Sequence, residues 1–190
     1  MMLRTLLILP AAMACLAAAP AKAPTSKAAP GKTATPAPKP APKPAAPAGP
    51  FDATNPQSFM DLLAAAGAKL QTSRKEDDAV FVAVTSAAAS FSMQFAGCTP
   101  QGRACKAVLL DNAMERGPAT TAQMNAFNQT SVMCRIYQDR GGVAHVVYSA
   151  ILFRSTTRDD AATHLLAWQG CLADGRDFMR DPIGYLANAA

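Results

Sequence analysis

The residues with the clearest chemical potential are four cysteines in the second half of the chain. Cys98 and Cys105 flank a loop that contains Pro100 and Gly102, two residues that favour turns. In an exported protein, two cysteines on either side of a hairpin loop are most simply joined as a disulfide. Closing this loop would stabilise the fold by roughly 2–3 kcal/mol by restricting the unfolded chain. We therefore predict a disulfide between Cys98 and Cys105.

Two other roles for Cys98 and Cys105 fit the sequence less well. A redox-active pair has the spacing Cys-x-x-Cys and a following helix start that lowers a thiol pKa, and neither feature occurs here. A zinc site needs two further ligands, and only His145 and His164 are left to supply imidazoles. The sequence accordingly predicts no metal site and no cofactor.

Cys134 and Cys171 are predicted to lie on the inward faces of a strand and of the last helix. One interpretation is a second disulfide that ties this helix to the sheet. The other is two buried thiols that act as small hydrophobic residues. The sequence leaves both open.

A short helix is predicted from the capping box at Thr120 to about Thr130. Asn125 and Asn128 lie three residues apart on one face of it, while Met124 and Phe127 are predicted to point inward. Asn125, Phe127 and Asn128 could form a ligand-binding face, in which the amides bind a partner's backbone. The alternative is that the two asparagines brace neighbouring loops through side-chain hydrogen bonds.

No catalytic motif accompanies these residues. His145 and His164 have no carboxylate or serine at an interpretable spacing, and neither Gly-x-Ser-x-Gly nor a phosphate-binding glycine loop is present. The acidic pairs at 77–78 and 159–160 are typical of a turn and a helix start. We predict that the protein is not an enzyme; a hydrolase whose site leaves no motif is the weakest of the alternatives.

The N-terminal residues predict export. Arg4 precedes an apolar run from Leu6 to Ala19, and small residues follow at Ala19-Pro20-Ala21, so residues 1–21 have the pattern of a signal peptide. This run is too short for a membrane span. Lipid attachment at Cys15 is an alternative, although Ala12 stands where a branched aliphatic residue is expected. We expect a periplasmic protein, associated with a membrane only if Cys15 is lipidated.

Residues 22–50 are rich in alanine, proline and lysine and predict a disordered tail. The first 50 residues hold six Lys and Arg and no acidic residue, whereas residues 51–190 hold twelve Lys and Arg and thirteen Asp and Glu. The net charge of +5 therefore belongs to the leader and the tail. The predicted domain has no basic surplus for a nucleic acid, and we expect none as a partner.

The remaining patterns predict an α+β domain over residues 51–180 and a C-terminal tail over 181–190. Phe91, Met93 and Phe95 alternate with polar residues, as in a strand with one buried face. Helix caps at Asn55, Thr120 and Thr157 separate groups of such strands. The predicted order is α-β-β-β-β-α-β-β-α, an antiparallel sheet of hairpins packed with three helices. The last helix is expected to fray after Gly175.

Three features of the chain resemble the YbjN-like family. These are the hairpin Phe95-Ala-Gly-Cys98 to Cys105, the sequence Asn125-Ala-Phe127-Asn128 where the family often has Asn-x-Trp-Asn, and the last helix with Trp168 in its seam. The resemblance covers about residues 51–180. It implies a fold similar to type III secretion chaperones and a role as a sensory transduction regulator. It also implies binding of a segment of another protein.

These patterns together predict an exported, non-catalytic binding or regulatory module. The polar face of the sheet, or a groove between the sheet and a helix, would bind a peptide segment or a second copy of the chain. The alternative is a structural or stress-related protein of the cell envelope with no specific client. The sequence does not identify the partner or the signal.

Overall fold

The computed structural model describes residues 50–189, apart from the side chains of Thr72 and Ser73. The predicted signal peptide 1–21 and all but the last residue of the predicted tail 22–50 lie outside the described residues. The predicted α+β class is confirmed, and the predicted order holds with one further helix at the end. The elements are α1 (Pro56–Ala65), β1 (Lys69–Glu76), β2 (Ala79–Thr85), β3 (Ser90–Ala96), β4 (Ala107–Ala113), α2 (Thr121–Thr130), β5 (Cys134–Gln138), β6 (Ala144–Ile151), α3 (Arg158–Arg180) and α4 (Pro182–Asn188).

The six strands within residues 50–189 form one antiparallel sheet in the order β1-β2-β3-β4-β6-β5. The first four strands follow one another as a meander. β6 then pairs with β4, and β5 pairs with the outer side of β6, so β1 and β5 are the two edges. The pairing of β4 with β6 brings together residues more than 30 positions apart in the chain.

The helices begin where the sequence supplies caps. The side chain of Asn55 accepts a hydrogen bond from the Gln57 amide at the start of α1. Thr120 and Thr157 form capping boxes at the starts of α2 and α3, in which an acceptor side chain three residues on bonds back to the threonine. These contacts satisfy amides that have no partner within the helix.

One face of the sheet is covered by the helices and forms the core. Phe95, Met93, Val82 and Val146 on this face are at most 1% exposed. The ring of Phe59 in α1 meets Phe95 edge-on, with ring centres 5.6 Å apart. We call this surface the buried face.

The long helix α3 packs on the same face through its apolar seam. Trp168 is buried and meets Phe91 of β3, with ring centres 5.5 Å apart. Gly175 allows the end of the helix to lie close to the sheet, because a Cβ there would lie only 3.2 Å from Met114 and 3.3 Å from Val146. Gly175 is therefore a packing residue of the helix.

The expectation that the chain frays after Gly175 is wrong. α3 continues to Arg180, and Asp181 then caps a further helix, α4. Tyr185 of α4 stacks on Phe127 of α2, with ring centres 5.5 Å apart. Residues 182–188, predicted as part of a tail, thus form a helix that packs against the core.

The pairing of the backbone sets the ends of the strands. Lys75 and Glu76 belong to β1, so the turn to β2 consists of Asp77 and Asp78 alone. β1 and β6 have eight residues each.

Candidate functional site

The side of the sheet opposite the helices is the candidate site, and we call it the open face. Paired residues on antiparallel strands share a face, so the registers assign its members. The open face is largely half-buried or exposed. It contains Arg74, Phe81, Gln94, Leu109, Asp111, Arg135, Tyr137, His145, Val147, Ser149 and Ile151.

The middle of the open face is apolar. Leu109 of β4 lies diagonally between Val147 and Ile151 of β6, since its direct partner is Ser149. Leu109 and Val147 are half-buried, and Ile151 is 66% exposed. Contiguous exposed apolar residues on a folded domain are typical of interaction surfaces.

A polar cluster of three side chains borders this apolar area. His145 Nδ1 lies 2.7 Å from Asp111 Oδ1, so this nitrogen carries the proton and donates to the carboxylate. The Tyr137 hydroxyl donates to the other oxygen of Asp111 at 2.9 Å. The rings of Tyr137 and His145 are stacked, with centres 4.9 Å apart. The carboxylate of Asp111 therefore holds the rings of both Tyr137 and His145 in place through hydrogen bonds.

The electrostatics of the cluster favour a neutral tyrosine. Burial raises the pKa of Tyr137 to about 12, with further contributions from its hydrogen bond to Asp111 and from the negative charges of Asp111 and Asp139. A neutral phenol keeps donating to Asp111 throughout the physiological pH range. The cluster therefore presents a fixed arrangement of donors and acceptors at the edge of the apolar area.

The cluster lacks a nucleophile among the described residues. In hydrolase triads the second nitrogen of the histidine faces a serine or cysteine. Here His145 Nε2 faces a second carboxylate, with Asp139 Oδ2 at 3.7 Å. The imidazole of His145 is therefore held between two carboxylates.

No local sequence pattern marks this cluster, because its members come together only through the pairing of distant strands. His145 does have a carboxylate partner, because Asp111 lies beside it on the neighbouring strand, 34 residues away in the chain. A prediction of the β4–β6 pairing would have been needed to find it. His164 also has a partner: its Nδ1 lies 2.6 Å from the hydroxyl of Tyr148, whose pKa is raised by burial.

The predicted pair Cys98–Cys105 and the pair Cys134–Cys171, left open by the sequence, both lie at disulfide distance in the structure. The sulfur atoms of Cys98 and Cys105 are 2.07 Å apart, at the ends of the loop between β3 and β4. Those of Cys134 and Cys171 are 2.04 Å apart and link β5 to α3. The second pair therefore fastens the helix layer to the buried face of the sheet.

The predicted ligand face on α2 needs correction. Phe127 is fully buried, packed between the rings of Phe178 and Tyr185, and is part of the core. The amide of Asn128 binds the backbone of Ile136: its nitrogen donates to the carbonyl at 2.8 Å, and its oxygen accepts from the amide at 2.7 Å. Only Asn125 is exposed. The bracing role, weighed above as the alternative, describes Asn128.

The side chain of Asn128 occupies backbone groups of the edge strand β5. The outward backbone groups of an edge strand are a template for another strand. Those of Ile136 are occupied by Asn128, and the Cys134 amide donates to Ser131 Oγ at 3.1 Å. Arg135 Nη1 donates to the Cys134 carbonyl at 2.7 Å. Side chains of the protein itself therefore close this edge.

No group of three or more His, Cys, Asp and Glu side chains within residues 50–189 is arranged to hold a metal ion. None of the helices in the same part of the chain combines the length and the apolar character needed to cross a lipid bilayer.

The fold and the open face define a two-layer α+β domain with one covered and one accessible sheet face. The chain belongs to the YbjN family, whose description is "Putative bacterial sensory transduction regulator" and whose model matches residues 60–173. This match covers the structure from the middle of α1 to the middle of α3. No curated protein and no solved structure matches the chain.

Proposed function

We propose that this protein is an exported, non-catalytic regulatory module that binds a segment of another protein on the open face. The observation that carries the proposal is the apolar area of Leu109, Val147 and Ile151, which no described helix covers. A regulatory role agrees with the description of the family. The chaperone-like binding mode is part of the proposal.

Export is supported by the cysteines and by the N-terminal residues. Disulfides form and persist in oxidising compartments such as the periplasm. Both cysteine pairs are at bonding distance in the structure, and residues 1–21 have the pattern of a signal peptide. The intact mass of native protein, measured with and without reductant, tests cleavage, lipid and disulfides together. Four free thiols in the native protein would contradict export to an oxidising compartment.

A protein segment suits the open face better than a small molecule does. The face is broad and lies on a sheet, whereas small-molecule sites are concave and enclose most of the ligand. It offers apolar contacts beside the Asp111 cluster, an arrangement of apolar centre and polar border that is typical of protein interfaces. Arg74, whose guanidinium lies over the ring of Phe81 and pairs with Glu76 at 3.1 Å, and Arg135 place guanidinium groups on either side of the apolar area.

Site-specific photo-crosslinking in the native compartment tests this proposal. A photo-reactive residue is placed at Val147 on the open face and, as the matched control, at Leu166, an apolar residue of α3 that is 65% exposed. We expect a discrete adduct with another protein from position 147 and none from position 166. An adduct with a second copy of the chain would show that the open face binds the protein itself, and the proposal of a different protein as partner would then be wrong.

The same experiment distinguishes the structural alternative. A structural protein of the envelope with no specific client would give no discrete adduct from position 147. It would also give none from position 109 on the neighbouring strand. That result would overturn the proposed binding role.

A further inference from the structure

A cavity of about 650 Å³ lies at the end of the sheet, and its lining includes none of Tyr137, His145 and Asp111. It is bounded by the end of β4, the loop that follows it and the last turns of α3. Its size lies within the range of small-molecule sites, roughly 300–1,000 Å³. Met114 and Met179 supply apolar lining, and both side chains are almost fully buried. The cavity thus has a preformed apolar wall.

The loop wall of the cavity is held tightly against α3. Gly117 lies so close to the helix that a Cβ there would be 2.1 Å from the Met179 carbonyl oxygen. Only glycine permits this approach, because the atom in the way belongs to the backbone. The Met114 amide also donates to the Ala144 carbonyl at 2.8 Å, which anchors the start of the loop. The cavity is therefore shaped by backbone contacts.

Positive charge converges on the rim of this cavity. Arg116, Arg176 and Arg180 all line it, against a single glutamate, Glu115. Arg180 is paired with Asp177, with Nη2 2.6 Å from Oδ1. Arg176 donates one hydrogen bond to the Ala88 carbonyl at 3.1 Å. The other four of the five N–H donors of its guanidinium remain for a ligand. Arg116 has no carboxylate within 4 Å among the described residues, so two guanidinium groups are available to an anion.

We propose that this cavity binds an organic carboxylate that carries a short apolar group. Arginine binds carboxylates through two parallel hydrogen bonds, and the guanidinium groups of Arg116 and Arg176 would hold the charged end. The methionines would contact the apolar end, since their flexible side chains adapt to varied shapes. The carboxylate can come from a free small acid or from the C-terminal residue of a polypeptide. This inference is independent of protein binding on the open face.

The test measures binding to the full isotope-labelled chain by NMR. The probes are 4-methylpentanoate and a capped peptide, acetyl-Gly-Gly-Ala-Leu with a free C-terminus. Each is paired with its neutral amide of the same shape. We expect a saturable shift of the signals of residues 113–118 and 176–180 with at least one acid and none with either amide. Shifts from the peptide acid alone assign the polypeptide source, and shifts from 4-methylpentanoate assign the free acid.

Arginine variants give the decisive comparison. Arg116→Gln and Arg176→Gln are each expected to weaken acid binding by about tenfold or more, a loss of about 1.4 kcal/mol or more, because each removes a hydrogen bond to a charged group. Arg154→Gln, an exposed arginine outside the cavity, is the matched control and should bind as the parent does. Arg116 is exposed, so its variant is expected to fold and keeps the test valid if Arg176→Gln does not fold. Equal binding of acids and amides, no binding at all, or unchanged binding by Arg116→Gln would overturn the proposal.

Discussion

The two faces of one sheet differ in what their residues do. On the buried face, Phe95 and Val146 are fully enclosed by helices that a disulfide and aromatic contacts hold in place. On the open face, Leu109 and Val147 are only half-buried, and the polar groups beside them are fixed by one another. Alternate residues of the same strands therefore have different roles. One set stabilises the fold, and the other remains available for a partner.

The largest contrast is expected between two phenylalanines on neighbouring strands. Phe95→Ala should lower the free energy of unfolding by about 3–5 kcal/mol, because it leaves a cavity in the core. Phe81→Ala should cost about 1 kcal/mol, because that ring is half-buried and contacts the Arg74 guanidinium. Urea unfolding of both variants measures the difference. Equal losses would show that the open face is as structural as the buried one.

The disulfide that fastens the helix layer should matter more than the disulfide of the hairpin loop. Replacing Cys134 and Cys171 with alanine removes a link between residues 37 positions apart, and the chain-entropy model gives a loss of about 3.8 kcal/mol. Replacing Cys98 and Cys105, seven positions apart, should cost about 2.4 kcal/mol. Urea unfolding under non-reducing conditions checks the order of the two double variants. The reverse order would mean that α3 is held mainly by packing.

A smaller effect is expected at the closed edge. Asn128→Ala removes both hydrogen bonds to the Ile136 backbone and should lower the free energy of unfolding by about 1–2 kcal/mol. Asn125→Ala, on an exposed side chain of the same helix, should change it by less than about 0.5 kcal/mol. In the Asn128→Ala variant, the β5 amides should also exchange their hydrogens faster than in the native chain. Similar effects for both variants would contradict the assignment of Asn128 to the edge.

The smallest expected effect is a change in the titration of Tyr137. The pKa of this phenol is raised to about 12 in the folded chain, so the unfolded chain loses the proton first. Its contribution to stability is therefore complete below about pH 10 and is lost as the pH rises towards 12. Asp111→Asn should lower this pKa towards 10, since it removes a negative charge. NMR titration of the Tyr137 ring measures the shift, and an unchanged pKa would contradict the role of Asp111.

Local features of the sequence predicted most of the helices and strands but not which strands lie side by side in the sheet. The caps at Asn55, Thr120 and Thr157 and the alternation of β3 depend on residues close in the chain, and these predictions are confirmed. The contact between Asp111 and His145 depends on which strands pair, and no local pattern records this. The open-face cluster was therefore missed.

Two further misses have the same origin. Gly175 has the residue type of a helix end, yet its lack of a side chain serves close packing against Met114 and Val146. The hypothesis of a ligand face on α2 includes Phe127, yet this ring points inward, as the helix pattern predicts, and is enclosed by α3 and α4. Tyr185, which lies in the predicted C-terminal tail over 181–190, supplies part of that enclosure. In both cases the deciding contact comes from an element distant in the sequence.

The most direct test of the account combines binding and stability at the open face. A photo-reactive residue at position 109 is compared in the native chain and in the Ile151→Asp background, while the free energy of unfolding of Ile151→Asp is measured in parallel. We predict that the charged substitution abolishes the adduct and changes the free energy of unfolding by less than about 1 kcal/mol, because Ile151 is 66% exposed and pairs with Ala107. An adduct that persists undiminished, or that never forms in the native chain, would contradict binding on the open face.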